Sequence, residues 1–308
     1  MSRLKRKKPL SRQLRKICKG MMEKTLEELG RRSIKTRGEG VHNARKQLKQ
    51  LRSMLRLMRY GLSNKTYKRQ NRVFRDAGRP LSEVRDADVM IETLDKLIEH
   101  YADQVQSNSF RKLRRALLER RKTIRKDLVG KQRVMGKVSR SLREEIPRIK
   151  KWTSTKDDHR ILLRGIQSTY AQAKKEMKIA IEENSDESFH QLRKSVKYLR
   201  YQLETLESIW PPVVCLMVDQ THQLADLLGL DHDLAVLESL VADECAKSCE
   251  PEEKELLHAL VRQRKMELRK EAIVIGDKFF AETPKQFLKR LNAYWKSWQN
   301  KPQGPVAA

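Results

Sequence analysis

Residues 41–59 read VHNARKQLKQLRSMLRLMR, and at helical spacing they carry two stripes. Val41, Ala44, Leu48, Leu51, Leu55 and Met58 form an apolar one. His42, Arg45, Lys49, Arg52, Arg56 and Arg59 form a polar one. Both step by three and four, so each keeps to one helix face. One position separates them, which is roughly 100° on a 3.6-residue turn. The first edge should pack inward. The second presents a histidine and then only cations.

Nearly the same stretch returns at 189–207, FHQLRKSVKYLRYQLETLE. His42 pairs with His190, Arg45 with Arg193, Lys46 with Lys194, Lys49 with Lys197 and Arg52 with Arg200, each 148 positions apart. Leu51 and Leu55 match Leu199 and Leu203 in the same register. Asp86 and Asp88 match Asp231 and Asp233 at an offset of 145. The duplication predicts two copies of one multi-helix unit about a pseudo-two-fold axis. The copies part where Arg56 and Arg59 give way to Glu204 and Glu207. The shared cationic part therefore spans three turns, roughly 15 Å of helix.

The rest of the chain suits this reading. It has 308 residues, a net charge of +28, and only 12 glycines and 9 prolines. Scarce breakers favour long helices over a turn-rich β fold. Such a charge attracts polyanions: nucleic acid, anionic membrane or phosphate polymers. Aromatics are only 6%, too few to favour single strands stacked on rings. No run of 18 apolar residues predicts a membrane span. Cys18, Cys215, Cys245 and Cys249 form no CxxC pair. Cys245 and Cys249, i and i+4 with His258 beyond, read as packed or exposed thiols rather than metal ligands. The default compartment is the reducing cytoplasm.

Taken in order, residues 1–9 form a basic tail, 10–152 a first helical half, 153–299 a second, and 300–308 a flexible tail. A helix from about Leu10 to Arg32 should end at Gly30 and a loop through Thr36-Arg37-Gly38-Glu39-Gly40. The striped helix follows to Tyr60. Helices over Asn64–Gly78, Leu81–His100, Phe110–Val129 and Lys131–Lys151 complete the first half, and Trp152–Asp158 marks the boundary. The second half is expected to run His159–Glu183, the second striped helix, Val213–Leu228, then a new helix opened by Asp231-His232-Asp233. Pro251 and Pro284 open the last two helices.

A one-signed stripe is unfavourable by itself, since like charges at i, i+4 cost roughly 0.2–0.5 kcal/mol a pair. Built twice, it implies an anionic partner that offsets the repulsion. Arginine's planar fork and lysine's point charge suit phosphate. His42 and His190 are placed near helix N-termini, which also favour anions. Each could donate to a phosphate oxygen, or instead orient a loop or accept a capping bond. Arg85, Asp86 and Asp88 read as an ion-pair and capping group. Arg69, Arg72 and Arg75; Arg111, Lys112, Arg114 and Arg115; and Arg262, Arg264 and Lys265 are further basic clusters that could widen a site.

Two copies of His-x-x-Arg-Lys-x-x-Lys-x-x-Arg, each followed by an aspartate-bearing segment (VRDADV, LDHDLAV), resemble the CHAD family, the conserved histidine α-helical domain. The resemblance covers roughly residues 10–298. It implies an all-α fold of two four-helix-bundle-like halves with internal pseudo-two-fold symmetry. It also implies non-catalytic binding of inorganic polyphosphate along a central basic groove. By motif match the binding residues are His42, Arg45, Lys46, Lys49 and Arg52, with His190, Arg193, Lys194, Lys197 and Arg200; Arg56 and Arg59 extend the first stripe. Some members join a CYTH triphosphatase domain, whose signature is ExExK. The match at Glu250–Lys254 lies at a helix start without barrel strands, so it reads as chance and the chain as a stand-alone module. Polyphosphate-metabolising enzymes or granule proteins are candidate partners, and polyphosphate granules a compatible location.

A nucleic-acid-binding role is the alternative, because the same charges attract DNA or RNA backbones. No helix-turn-helix, zinc finger or RRM signature supports it. An enzyme on phosphate chains is the third class. No GxxxxGK[ST] loop exists, and carboxylates suited to Mg²⁺ do not cluster beside the histidines. No catalytic residue, metal ligand or cofactor is expected.

Overall fold

A computed structural model describes residues 4–30, 34–106, 109–130, 132–152, 158–243 and 250–300, apart from the side chains of 34–37, 82–86, 125–130, 132–134 and 243. The 153–157 boundary, Cys245, Cys249, the side chains of Arg85 and Asp86 and the tail after 300 lie outside the described residues. Among those described, the chain is all-helical: α1 (Leu10–Leu29), α2 (Ile34–Leu57), α3 (Asn64–Gly78), α4 (Ser82–His100), α5 (Arg111–Gly130), α6 (Gln132–Glu145), α7 (His159–Glu183), α8 (Asp186–Leu206), α9 (Pro211–Asp243), α10 (Pro251–Phe279) and α11 (Pro284–Asn300).

Two boundaries differ from the sequence expectation. The stretch expected as a loop at 36–40 is helical, and α2 begins at Ile34. Glycine costs about 1 kcal/mol in a helix relative to alanine. Propagating an existing helix still adds one hydrogen bond per residue, so Gly38 and Gly40 weaken this segment without breaking it. His42 therefore stands two turns inside α2, not near its start. The second difference is larger. Gly229 does not end a helix, and Asp231-His232-Asp233 does not open one, because α9 runs unbroken for 33 residues. Leu224, Ala225 and Leu228 before this point, and Leu234 and Leu237 after it, are all buried. Burial on both sides outweighs the one glycine.

Other termini follow local chemistry. Ser185 caps α8 in a capping box with Ser188, and Asp158 caps α7 through the Arg160 amide at 2.9 Å. Asn184, between them, takes a left-handed conformation with φ 44°, which asparagine tolerates well.

The two striped helices are the centre of the packing. α2 packs against α1, α3, α4, α7 and α8, and α8 against α2, α7 and α9. All six residues of the apolar stripe, five on α2 and Met58 just past its end, are buried. The described apolar residues form two cores. One gathers α1, α2, α3, α6, α7, α8, α11 and the first part of α9. The other gathers α4, α5, the last part of α9 and α10. Each core draws on both sequence halves. α9 passes from one to the other, and the basic faces of α2 and α8 meet beside that passage.

Candidate functional site

A cleft of about 530 Å³ opens where α2, α4, α8 and α9 converge. α2 supplies His42, Arg45, Lys46 and Lys49; α8 supplies His190, Arg193, Lys197, Arg200 and Tyr201. α9 adds His222, His232, Asp233 and Val236, and α4 adds Val89 and Met90. Helical spacing of three and four explains the alignment: about one turn separates His42 from Arg45 and Arg45 from Lys49. Six of these lining side chains are cationic and four are histidines, against one carboxylate, Asp233.

Two of the largely buried cations, Arg193 and Lys197, have little close compensation among the described residues. Arg193 is largely buried, with its Nη2 no nearer than 4.0 Å to Asp233 Oδ1. Among the described residues its Nε has no hydrogen-bond partner, nor does the buried Nδ1 of His190. The Arg193 guanidinium lies across the bare backbone of Gly229, where a Cβ would stand 3.7 Å from Nε. Burial, reinforced by Arg193 and Lys49 and opposed by Asp233 and Asp226, lowers the Lys197 ammonium to about 7. Burial also lowers His190, with Lys194, Arg193 and Lys49 adding to it against Glu187. His232 falls to about 3, through burial first and then His190, Arg193, Lys197 and Lys49. An electropositive, partly dehydrated cleft of this kind gains most from an anion that accepts several hydrogen bonds at once.

Eight of the twelve sequence-derived site residues line the cleft. The other four lie beside or beyond it. Lys194 is exposed on α8, close enough for its charge to act on His190. Arg52 donates from Nε to Asn71 Oδ1 at 3.1 Å. Arg56 lies over the Tyr198 ring with its guanidinium carbon 4.0 Å from the centroid. Arg59 lies over Tyr67 at 4.6 Å and bonds the Asn64 side chain. The far half of the α2 stripe thus turns onto aromatic and amide neighbours, much of it on α3. The α8 counterpart differs again, since Arg200 Nε is bound to Glu204 at 2.9 Å.

The outlying basic clusters are largely paired with acids. Arg69 and Arg148 both bond Glu145, and Arg75 bonds Asp76 at 2.9 Å. Lys112 bonds Glu250, the first residue of the ExExK match, and Arg114 bonds Asp95 at 2.8 Å. Arg264 bonds Glu267 at 2.8 Å, and Lys265 bonds Asp186 at the same distance. The aspartates matched between the halves have separate duties. Asp88 lies 3.8 Å from Arg121. Asp231 is buried and bonds Arg269 Nε at 2.7 Å. Of the described ones, only Asp233 faces the cleft.

Besides the apolar Val89, Met90 and Val236, four polar lining residues escaped the sequence-derived set: His232, His222, Tyr201 and Asp233 in its cleft-facing role. His232 stacks on His190 with ring centroids 4.1 Å apart and planes at 30°. One signal was present, because the 145-residue offset sets His232 opposite Ala87 between two matched aspartates. His222 bonds Asp226 at 2.7 Å at the cleft rim.

Among the described residues, no group of three or more histidine, cysteine or acidic side chains is placed to hold a metal ion. No described helix is long and apolar enough to cross a membrane. A family model described as CHAD domain matches residues 20–242 of the chain. No curated protein matches it.

Proposed function

The chain belongs to the CHAD-domain family, and from that premise we propose that it binds inorganic polyphosphate between α2 and α8 without cleaving it. The CHAD domain is known for polyphosphate binding. One observation carries the reading to this cleft: both copies of the repeated His-Arg-Lys motif line it together. A chain of phosphates presents closely spaced anionic oxygens, and the cleft presents closely spaced donors from two walls. Among the described residues Arg193 Nε, a donor, and His190 Nδ1, a donor when it carries the proton, are buried without partners, and phosphate oxygens would accept from both. The repeat supports a pseudo-two-fold relation between the walls, so that the polymer runs between matched faces.

The lining supports holding without cleavage. Asp233 is its one described carboxylate, and it faces Arg193. A general base or metal ligand among these residues would stand against an excess of cations. Much of the affinity comes from counterion release, so binding weakens steeply with salt. A granule scaffold and an adaptor for a polyphosphate-metabolising enzyme are roles such a cleft serves.

The test is competition. Labelled polyphosphate is bound at physiological salt and challenged with DNA, RNA and unlabelled polyphosphate at matched phosphate concentration. Unlabelled polymer should displace the label at far lower concentration than either nucleic acid. Displacement by nucleic acid at equal or lower concentration overturns the assignment in favour of a nucleic-acid-binding protein. Phosphate release on incubation with Mg²⁺ or Mn²⁺ overturns the non-catalytic part.

A further inference from the structure

The cleft holds a feature that the repeated motif does not contain. His190 on α8 and His232 on α9 stack at 4.1 Å, and both rings line the same cavity. The buried Nδ1 of His190 has no hydrogen-bond partner among the described residues. We propose that His232 is a ligand-binding residue of this cleft and that the His190–His232 pair takes up protons when a phosphate chain binds. The inference rests on the polyphosphate reading and adds its regulation by pH.

The charge around the pair decides the direction. From α8 it faces Arg193, Lys194 and Lys197, with Glu187 as the opposing charge. From α2 it faces Lys49, with His42 and Arg45 on the same wall. On α9 itself stand His222, already bonded to Asp226, and Asp233. Among its described side chains, α4 presents Val89 and Met90 to the cavity, and its Asp88 lies toward Arg121. α10 brings Arg269, which is held by Asp231 and Asp186. Burial first, and then this excess of cations, lowers both imidazoles from the ordinary histidine value, His232 to about 3. Two stacked imidazolium rings would also repel each other.

A phosphate chain opposes the cationic part of this and outweighs the burial by direct contact. Its negative charge offsets the cations, and its oxygens accept a proton-bearing nitrogen from each ring. The protonated pair then offers two charge-assisted donors where the neutral pair offers weaker ones. Solvent supplies the protons, and each binds an imidazole nitrogen that carries none in the free cleft. By linkage, affinity rises as pH falls through the window between free and bound pKa values. The internal phosphates of a long chain stay ionised there, so the uptake belongs to the protein.

The test uses the full chain and long-chain sodium polyphosphate at fixed salt. Titration calorimetry at pH 6, in two buffers of different ionisation enthalpy, counts protons exchanged. The wild-type chain should take up protons on binding. Its affinity should rise between pH 7 and pH 5.5, by up to ~tenfold per pH unit for each fully coupled proton. His232→Gln keeps bulk and a donor but cannot titrate in this range. It should lose a measurable part of the uptake and flatten the profile; His232→Asn repeats the result if His232→Gln does not fold. His222→Gln, at the rim, should keep the uptake. Wild-type binding without proton uptake, or undiminished uptake in a folded His232→Gln, overturns the inference and leaves the polyphosphate assignment standing. Absence of polyphosphate binding at every pH overturns both.

Discussion

The Ser53 hydroxyl on α2 donates to the backbone carbonyl of Tyr198 on α8 at 2.7 Å. Gln202 on α8 donates back to the Ser53 carbonyl at 3.3 Å and to Thr169 Oγ1 on α7 at 3.0 Å. Ser53 and Gln202 are both fully buried. The two striped helices are thus pinned to one another a single turn beyond Lys49, and this crossing fixes how the cationic walls face. Ser53→Ala should cost about 1 kcal/mol, the usual net value of one such bond. Denaturant unfolding checks the loss, and affinity should fall with it as the walls lose their shared register.

A tighter constraint lies where α7 crosses the end of α2. A Cβ on Gly165 would stand 2.7 Å from the Leu57 carbonyl carbon and 2.9 Å from its Cα. These are backbone atoms, which cannot swing aside. Gly165→Ala should therefore destabilise the chain by about 3 kcal/mol, the upper part of the range for overpacking. A melting temperature equal to wild type would show that the helices do not approach this closely.

The cleft trades stability for binding. Lys197 is mostly buried among cations, without a direct ion-pair partner within the described residues. Lys197→Met should raise stability without ligand by roughly 1–3 kcal/mol, as exchange of buried charge for apolar bulk commonly does. It should also weaken polyphosphate binding at least severalfold. Unfolding and binding measured on the same variant decide the point, and a less stable variant would contradict it.

Stability should also depend on pH with a defined sign. Lys197 falls from an ordinary 10.5 to about 7 in the fold, so between those values the unfolded chain binds the extra proton. Its contribution is full above about 10.5 and is lost as pH falls towards 7. His232 acts in the same direction between 6.5 and about 3. Without ligand, the melting temperature should therefore climb from pH 7 to pH 10, and less steeply in Lys197→Met. Polyphosphate favours the charged lysine and should flatten the climb.

Binding should follow the cleft rather than the length of the stripe. Arg193→Gln removes a buried guanidinium with an open donor and should reduce affinity more than ~tenfold, as loss of a charge-assisted contact does. Arg59→Gln, outside the cleft and over Tyr67, should change it less than ~twofold, as a solvent-screened charge does. Equal losses would mean that the whole stripe carries the polymer.

Helical class, most helix boundaries and the inward apolar stripe were determined by the sequence, because they depend on spacing within one element. Val41 to Met58 could be assigned to the core from period alone. The doubled His-Arg-Lys motif likewise marked eight residues that line one cavity. The tertiary structure decided what local patterns do not encode. Gly229 has the character of a helix end, yet two cores hold α9 straight through it, and His232 is carried onto the face that meets His190. Arg52, Arg56 and Arg59 continue the stripe in sequence, yet Asn71, Tyr198 and Tyr67 draw them aside. Periodicity ranks the faces of one helix; which neighbour each face meets depends on side chains far away in the chain. For 41–59, the sequence determined a buried edge and a cationic edge. Packing against α8 and α9 decided that only its first half, His42 to Lys49, forms a wall of the cleft.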